Sequence, residues 1–100
     1  MKKLWLDDVR PAPSDGGDWV HVKTAFEAIQ ALNTGHFDEV SLDHDLGEPA
    51  DEVGNGYEVA CWIEENAFFE RLGRLKWRVH SANPVGITAM TSALNNADNF

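Results

Sequence analysis

The sequence predicts an α/β domain built on a mainly parallel sheet. Three observations carry that reading. Short runs of aromatic, aliphatic and β-branched residues alternate with stretches of helical periodicity. Three of the four strand candidates end abruptly in polar residues, and each helix candidate opens on a side chain able to cap it. No repeat or low-complexity linker divides residues 1–100, so a single domain is expected.

The elements follow in order. Lys3-Leu4-Trp5-Leu6 is a strand candidate stopped by Asp7-Asp8, and Trp19-Val20-His21-Val22 is a second. Between them, Arg10 to Asp18 is rich in Pro, Gly and Asp and reads as a loop. Thr24 and Glu27 form a capping box for a helix that buries Ala25, Ala28, Ile29 and Leu32, with Gly35 as its stop. Glu39-Val40-Ser41-Leu42 is a third strand, ended by Asp43-His44-Asp45, and Gly47 to Asn55 reads as another loop. Asn55 and Glu58 repeat the cap signal for a second helix. Trp77-Arg78-Val79 runs into His80-Ser81 as the fourth strand. Asn83 as N-cap with Pro84 at the first position opens a third helix, with Ile87, Met90 and Leu94 inward.

Charge narrows the functions available. Seventeen acids against eight Lys and Arg give a net charge of −9. That balance excludes a broad DNA- or RNA-binding groove, which needs cations to displace counterions. It also argues against anionic membranes. The acids concentrate between Thr24 and Glu70, which holds no Lys or Arg, whereas Arg71, Arg74, Lys76 and Arg78 form a basic stretch. One cysteine, Cys61, allows no internal disulfide, and neither a signal peptide nor a membrane span is visible. A soluble, cytoplasmic protein is the expectation.

The strand ends carry the chemistry. In open parallel sheets, ligands bind beyond the carboxyl ends of the strands. Asp7-Asp8, Asp43-His44-Asp45 and His80-Ser81-Ala82-Asn83 should therefore meet on one edge. Asp7, Asp8 and Asp43 offer hard oxygen ligands suited to Mg²⁺ or another divalent cation. Taken singly, such aspartates are also ordinary turn residues. Alternation along the third strand would let Asp43 and Asp45 converge, with His44 a candidate acid–base flanked by carboxylates. The helix opened by Asn83 leaves the amides of Val85 and Gly86 as an anion site, with Gly86 giving a ligand close access to the backbone. His80, just upstream, could donate a proton there. His21 reads as structural or exposed, and the four Trp residues as packing.

Leu4-Trp5-Leu6-Asp7-Asp8 resembles the first strand and acidic pair of two-component receiver domains, and Val40-Ser41-Leu42-Asp43 their phosphoacceptor strand. Leu-Trp-Leu-Asp-Asp-Val-Arg-Pro, Ser-Leu-Asp-His-Asp-Leu-Gly and His-Ser-Ala-Asn-Pro-Val-Gly together resemble the cyclic-phosphate processing receiver-like family, nearly end to end. The resemblance implies a flavodoxin-like three-layer sandwich with four mainly parallel strands in the order 2-1-3-4. The usual first helix, the fifth strand with its phosphate-binding lysine, and the fifth helix are missing from the pattern. His80 or Ser81 stands at the receiver's Thr or Ser switch position. Without the lysine, phosphorelay signalling is disfavoured.

The function expected is a metal-assisted phosphoesterase that opens a cyclic phosphate on a nucleotide or RNA end. Asp7, Asp8 and Asp43 would hold the cation. His80 and His44 would act as acid and base, with Asp45 orienting one of them. Arg10, Ser81 and the amides after Asn83 would grip the phosphate. Two alternatives stand beside it: a module that sequesters a cyclic nucleotide without turnover, and a degenerate receiver acting through protein contacts.

Overall fold

A computed structural model of the chain describes residues 2–69, 72 and 75–99. Arg71 and Arg74 of the basic stretch lie outside the described residues. The element order is β1 (Lys2–Leu6), β2 (Asp18–Val22), α1 (Ala25–Thr34), β3 (Glu39–Leu42), α2 (Ala50–Val53), α3 (Gly56–Phe68), β4 (Lys76–Val79) and α4 (Pro84–Asp98). The four strands form one sheet in the order β2-β1-β3-β4, and every pairing is parallel. Among the described residues, no helix is long and apolar enough to cross a membrane.

Alternation along the strands decides what each face does. Leu4 and Leu6, Val40 and Leu42 point to one side and are fully buried, joined by Val22. Ala28 and Leu32 of α1, Val59, Ala60 and Ile63 of α3, and Met90 and Leu94 of α4 close over them as a single core. Each of these helices starts where its cap predicts. Thr24 Oγ1 accepts the Glu27 amide at 3.1 Å, Asn55 Oδ1 that of Glu58 at 3.1 Å, and Asn83 Oδ1 that of Gly86 at 3.0 Å. Gly35 ends α1 in extended backbone, with its amide returning to Ala31.

Helices α1, α3 and α4 pack side by side, α1 on α3 and α3 on α4, so all three cover one face. The crossover rule explains this. From β2 to β3 to β4 the chain steps one way across the sheet, and from β1 to β2 it steps the other way. Right-handed connections therefore send only the first crossover to the opposite face. That crossover is the helix-free loop 7–17. It is pinned by Trp5 Nε1 donating to the Arg10 carbonyl at 2.9 Å and Trp19 Nε1 donating to Asp15 Oδ1 at 3.0 Å. The second loop expectation, 47–55, is also amended, since Ala50–Val53 forms one helical turn.

Candidate functional site

The carboxyl ends of β1, β3 and β4 bring three sequence-distant groups together. Asp7, Asp8 and Asp43 each present a carboxylate oxygen, and the three lie within 4.8 Å of one another. Asp7 is 1% exposed and Asp43 7%, so ordinary solvation does not account for them. The sheet itself sets their positions: the Asp7 amide donates to the Val22 carbonyl and the Asp43 amide to that of Leu6. Both side chains project towards the helix-free side, continuing the alternation of Trp5 and Ser41.

The three aspartates differ in what they have to spare. Asp7 Oδ1 accepts the amides of Val9 and Arg10, both at 2.8 Å. Its Oδ2 faces His80 Nε2 at 3.1 Å and Arg10 Nε at 3.4 Å. Burial pushes this carboxyl up, but the two amides and His80 outweigh it and hold it below the ordinary carboxylate value. Asp43 has one oxygen on the His44 amide at 2.8 Å. Burial, then the charge of Asp7, push its carboxyl above the ordinary value, against the pull of the His44 amide, His80 and Arg10. Asp8 is half-buried, with no hydrogen bond or ion pair to any described residue. Its Oδ2 lies against Gly47, whose φ of +95° favours glycine and where a Cβ would come within 2.9 Å of that oxygen.

His80 is fixed on all sides. Its Nδ1 is 2.7 Å from the Ser41 hydroxyl, its Nε2 meets Asp7, and its ring stacks on Trp5 with centroids 3.8 Å apart. Burial lowers its basicity more than the Asp43 and Asp7 charges restore it, so the ring sits below the ordinary imidazole value. Both nitrogens are occupied, which leaves the general-acid role expected of His80 without a free proton to offer.

His44 forms a separate pair. Its Nδ1 is 2.9 Å from Asp45 Oδ1, and Asn83 Nδ2 lies 3.5 Å from both Asp45 oxygens. The hydrogen bond from His44, with help from Asn83, holds the Asp45 carboxyl below its ordinary value. The expected convergence of Asp45 with Asp43 does not occur, because β3 ends at Leu42 and its alternation with it. A recess of about 360 Å³ opens beside this pair, lined by His44, Asp45, Gly47, Glu48, Gly54 and Asn55.

The phosphate-grip expectation is revised at two positions. Gly86 offers its amide to Asn83 Oδ1, and the space left by its missing side chain is filled by the His44 ring. A Cβ there would lie 2.5 Å from His44 Cγ. Ser81 Oγ accepts the Asn83 amide at 3.1 Å, which stabilises the turn into α4. Val85 is 79% exposed, and Arg10 has a half-exposed side chain.

Sequence reasoning missed three contributors. Ser41 and Trp5 grip His80, and His21 Nε2 donates to the Asp7 carbonyl at 2.7 Å. One signal was available for them: Trp5, His21, Ser41 and His80 fall on the strand positions that alternate away from the core.

The family model described as the cyclic-phosphate processing receiver domain matches residues 2–96. No curated protein matches the sequence.

Proposed function

The chain belongs to the cyclic-phosphate processing receiver family, and on that premise we propose that it hydrolyses a cyclic phosphate ester with the help of a divalent cation. One observation carries the proposal: the largely buried Asp7–Asp8–Asp43 cluster, in which burial, then the charge of Asp7, work against the charge of Asp43. Like charges gathered out of water favour a bound cation, and the all-carboxylate donor set fits Mg²⁺ or a similar hard ion. Asp8 and Asp43 have oxygens to give. Asp7, committed on both of its own, adds charge beside them. A bound divalent ion would neutralise charge on the phosphoryl oxygens.

The chain's own groups supply the rest. Arg10 uses Nε towards Asp7, and its exposed terminal nitrogens remain available to a phosphate oxygen. Ionised Asp45 accepts from His44 Nδ1–H, which leaves Nε2 as a lone pair able to take a proton from water. The water oxygen bonds to phosphorus, one ring P–O bond breaks, and the departing oxygen takes up the proton to give a phosphomonoester. The recess beside His44 lies within the size range of small-ligand sites.

The test is ³¹P NMR of purified protein with 2′,3′-cyclic nucleotides and Mg²⁺. Conversion to a phosphomonoester at a rate lost in Asp43→Asn is the expected result. A bound cyclic ligand that survives long incubation would replace catalysis with sequestration. No binding and no conversion would sink both.

A further inference from the structure

The partners on the His80 ring determine where its hydrogen sits. Nε2 faces Asp7 Oδ2 at 3.1 Å, and Nδ1 faces Ser41 Oγ at 2.7 Å. An ionised carboxylate can only accept. Asp7 Oδ1 takes the Val9 and Arg10 amides, both at 2.8 Å, and Oδ2 also faces Arg10 Nε at 3.4 Å, so these neighbours meet the carboxyl as donors and it stands among them as an acceptor. Nε2 therefore carries the hydrogen, and in the neutral ring Nδ1 is a bare acceptor. Its hydrogen-bond partner among the described residues is the Ser41 hydroxyl, which is fully buried in the middle of β3. Trp5 lies flat against the ring, with planes 6° apart, and prevents it from tipping away from either partner.

We infer that Ser41 is a positioning residue: its hydroxyl donates to Nδ1, selects the Nε2–H tautomer of His80, and so aims the Asp7 carboxylate at Asp8 and Asp43. The other tautomer would set a nitrogen lone pair against Asp7 Oδ2 and push that carboxylate away. Nothing in the sequence around Ser41 announces this, since it occupies an ordinary strand position 39 residues from His80. The role rests on the cation reading of the cluster only for its effect on affinity; the tautomer is a property of the metal-free protein.

The first measurement is long-range ¹H–¹⁵N NMR of the imidazoles at pH 8 in a chelator. The second is titration with Mg²⁺ alone, followed by tryptophan fluorescence. Wild-type His80 should show a single Nε2–H tautomer. Ser41→Ala should show both tautomers and bind Mg²⁺ about tenfold more weakly, because the Asp7 charge beside Asp8 and Asp43 loses its fixed place, as loss of an outer-shell partner does elsewhere. Ser41→Thr and Ser41→Val match in volume and differ in the hydroxyl, so they keep the test decisive if the alanine variant folds poorly. The threonine should retain the wild-type tautomer and the valine should lose it. An Nδ1–H ring in the wild type, or an unchanged tautomer in every hydroxyl-free variant that folds, would overturn the role of Ser41. Absence of Mg²⁺ binding in the wild type would overturn the cation reading and leave the tautomer result standing.

Discussion

Asp43 is the residue on which the site's energetics turn. Its carboxyl is raised by burial and by Asp7, so in the cation-free protein its charge is a cost. Asp43→Asn keeps the shape and removes that charge. Without divalent ions it should therefore stabilise the fold at neutral pH, on the order of 1 kcal/mol, or about 4–8 °C in Tm for a domain of this size. Mg²⁺ should raise the wild-type Tm by mass action and leave the variant unmoved. Thermal melts in chelator and in millimolar Mg²⁺ check both statements, and a wild type indifferent to Mg²⁺ would remove the cation from the account. The histidines separate in the same way. His44→Gln removes the ring nitrogen proposed for proton transfer and should cost about 10²- to 10⁴-fold in turnover, with cyclic-nucleotide affinity little changed. The aspartates were legible in the sequence because each ends a strand whose apolar run fixes where it stops. The grip of Ser41 and Trp5 on His80 was not, because alternation assigns a face and says nothing of which distant ring will lie on it.

At the level of elements, local signals proved the most readable. The caps at Thr24, Asn55 and Asn83 act over three residues, so the sequence contains both partners. One-turn α2 was hidden because four residues carry no periodicity. The meaning of Gly86 was hidden for a different reason: its neighbour, His44, arrives from another strand end. That contact gives a prediction. Gly86→Ala is a mild change for a helix, yet its Cβ would press on His44 from 2.5 Å. Either the ring or α4 must move, at a cost of about 1–3 kcal/mol for such overpacking. Because the displaced ring is the proposed base, turnover should fall further than stability does. Denaturant melts set against ³¹P-monitored rates measure the two. A variant with a wild-type rate would show that His44 does not need its present position. The strand order 2-1-3-4 is as the sequence predicts, and the placement of the helices follows from it. The loop in place of the first helix was visible, but only strand order combined with crossover handedness shows that this loop was the sole crossover for its face.

The whole molecule carries a charge of −9, and its response to acid should reveal which groups were buried at a cost. Three of the shifted groups lie in the buried site, and each responds in its own direction as pH falls in the absence of divalent ions. His80 is depressed below its ordinary value of 6.5, chiefly by burial, so the folded state resists a proton that the unfolded chain accepts. Its share of stability is complete above pH 6.5 and is lost as pH falls from there through the lower folded value. Asp43 works in the opposite direction. Its folded value is raised above 3.8, so protonation on the way down relieves the penalty of its charge and returns some stability. Burial opposes the charge of Asp7, but the Val9 and Arg10 amides and His80 depress it below 3.8 on balance, and its contribution goes only as pH falls through that depressed value. The His80 contribution is the one that can be isolated. His80→Gln retains hydrogen-bonding reach without titrating, so it should lower stability at pH 8 while flattening the decline below about pH 6.5. Urea midpoints at half-unit steps from pH 8 to pH 5, in chelator, give both curves. A wild-type decline reproduced in parallel by His80→Gln would mean that another group binds the proton, and that His80 is less confined by Ser41, Trp5 and Asp7 than its contacts require.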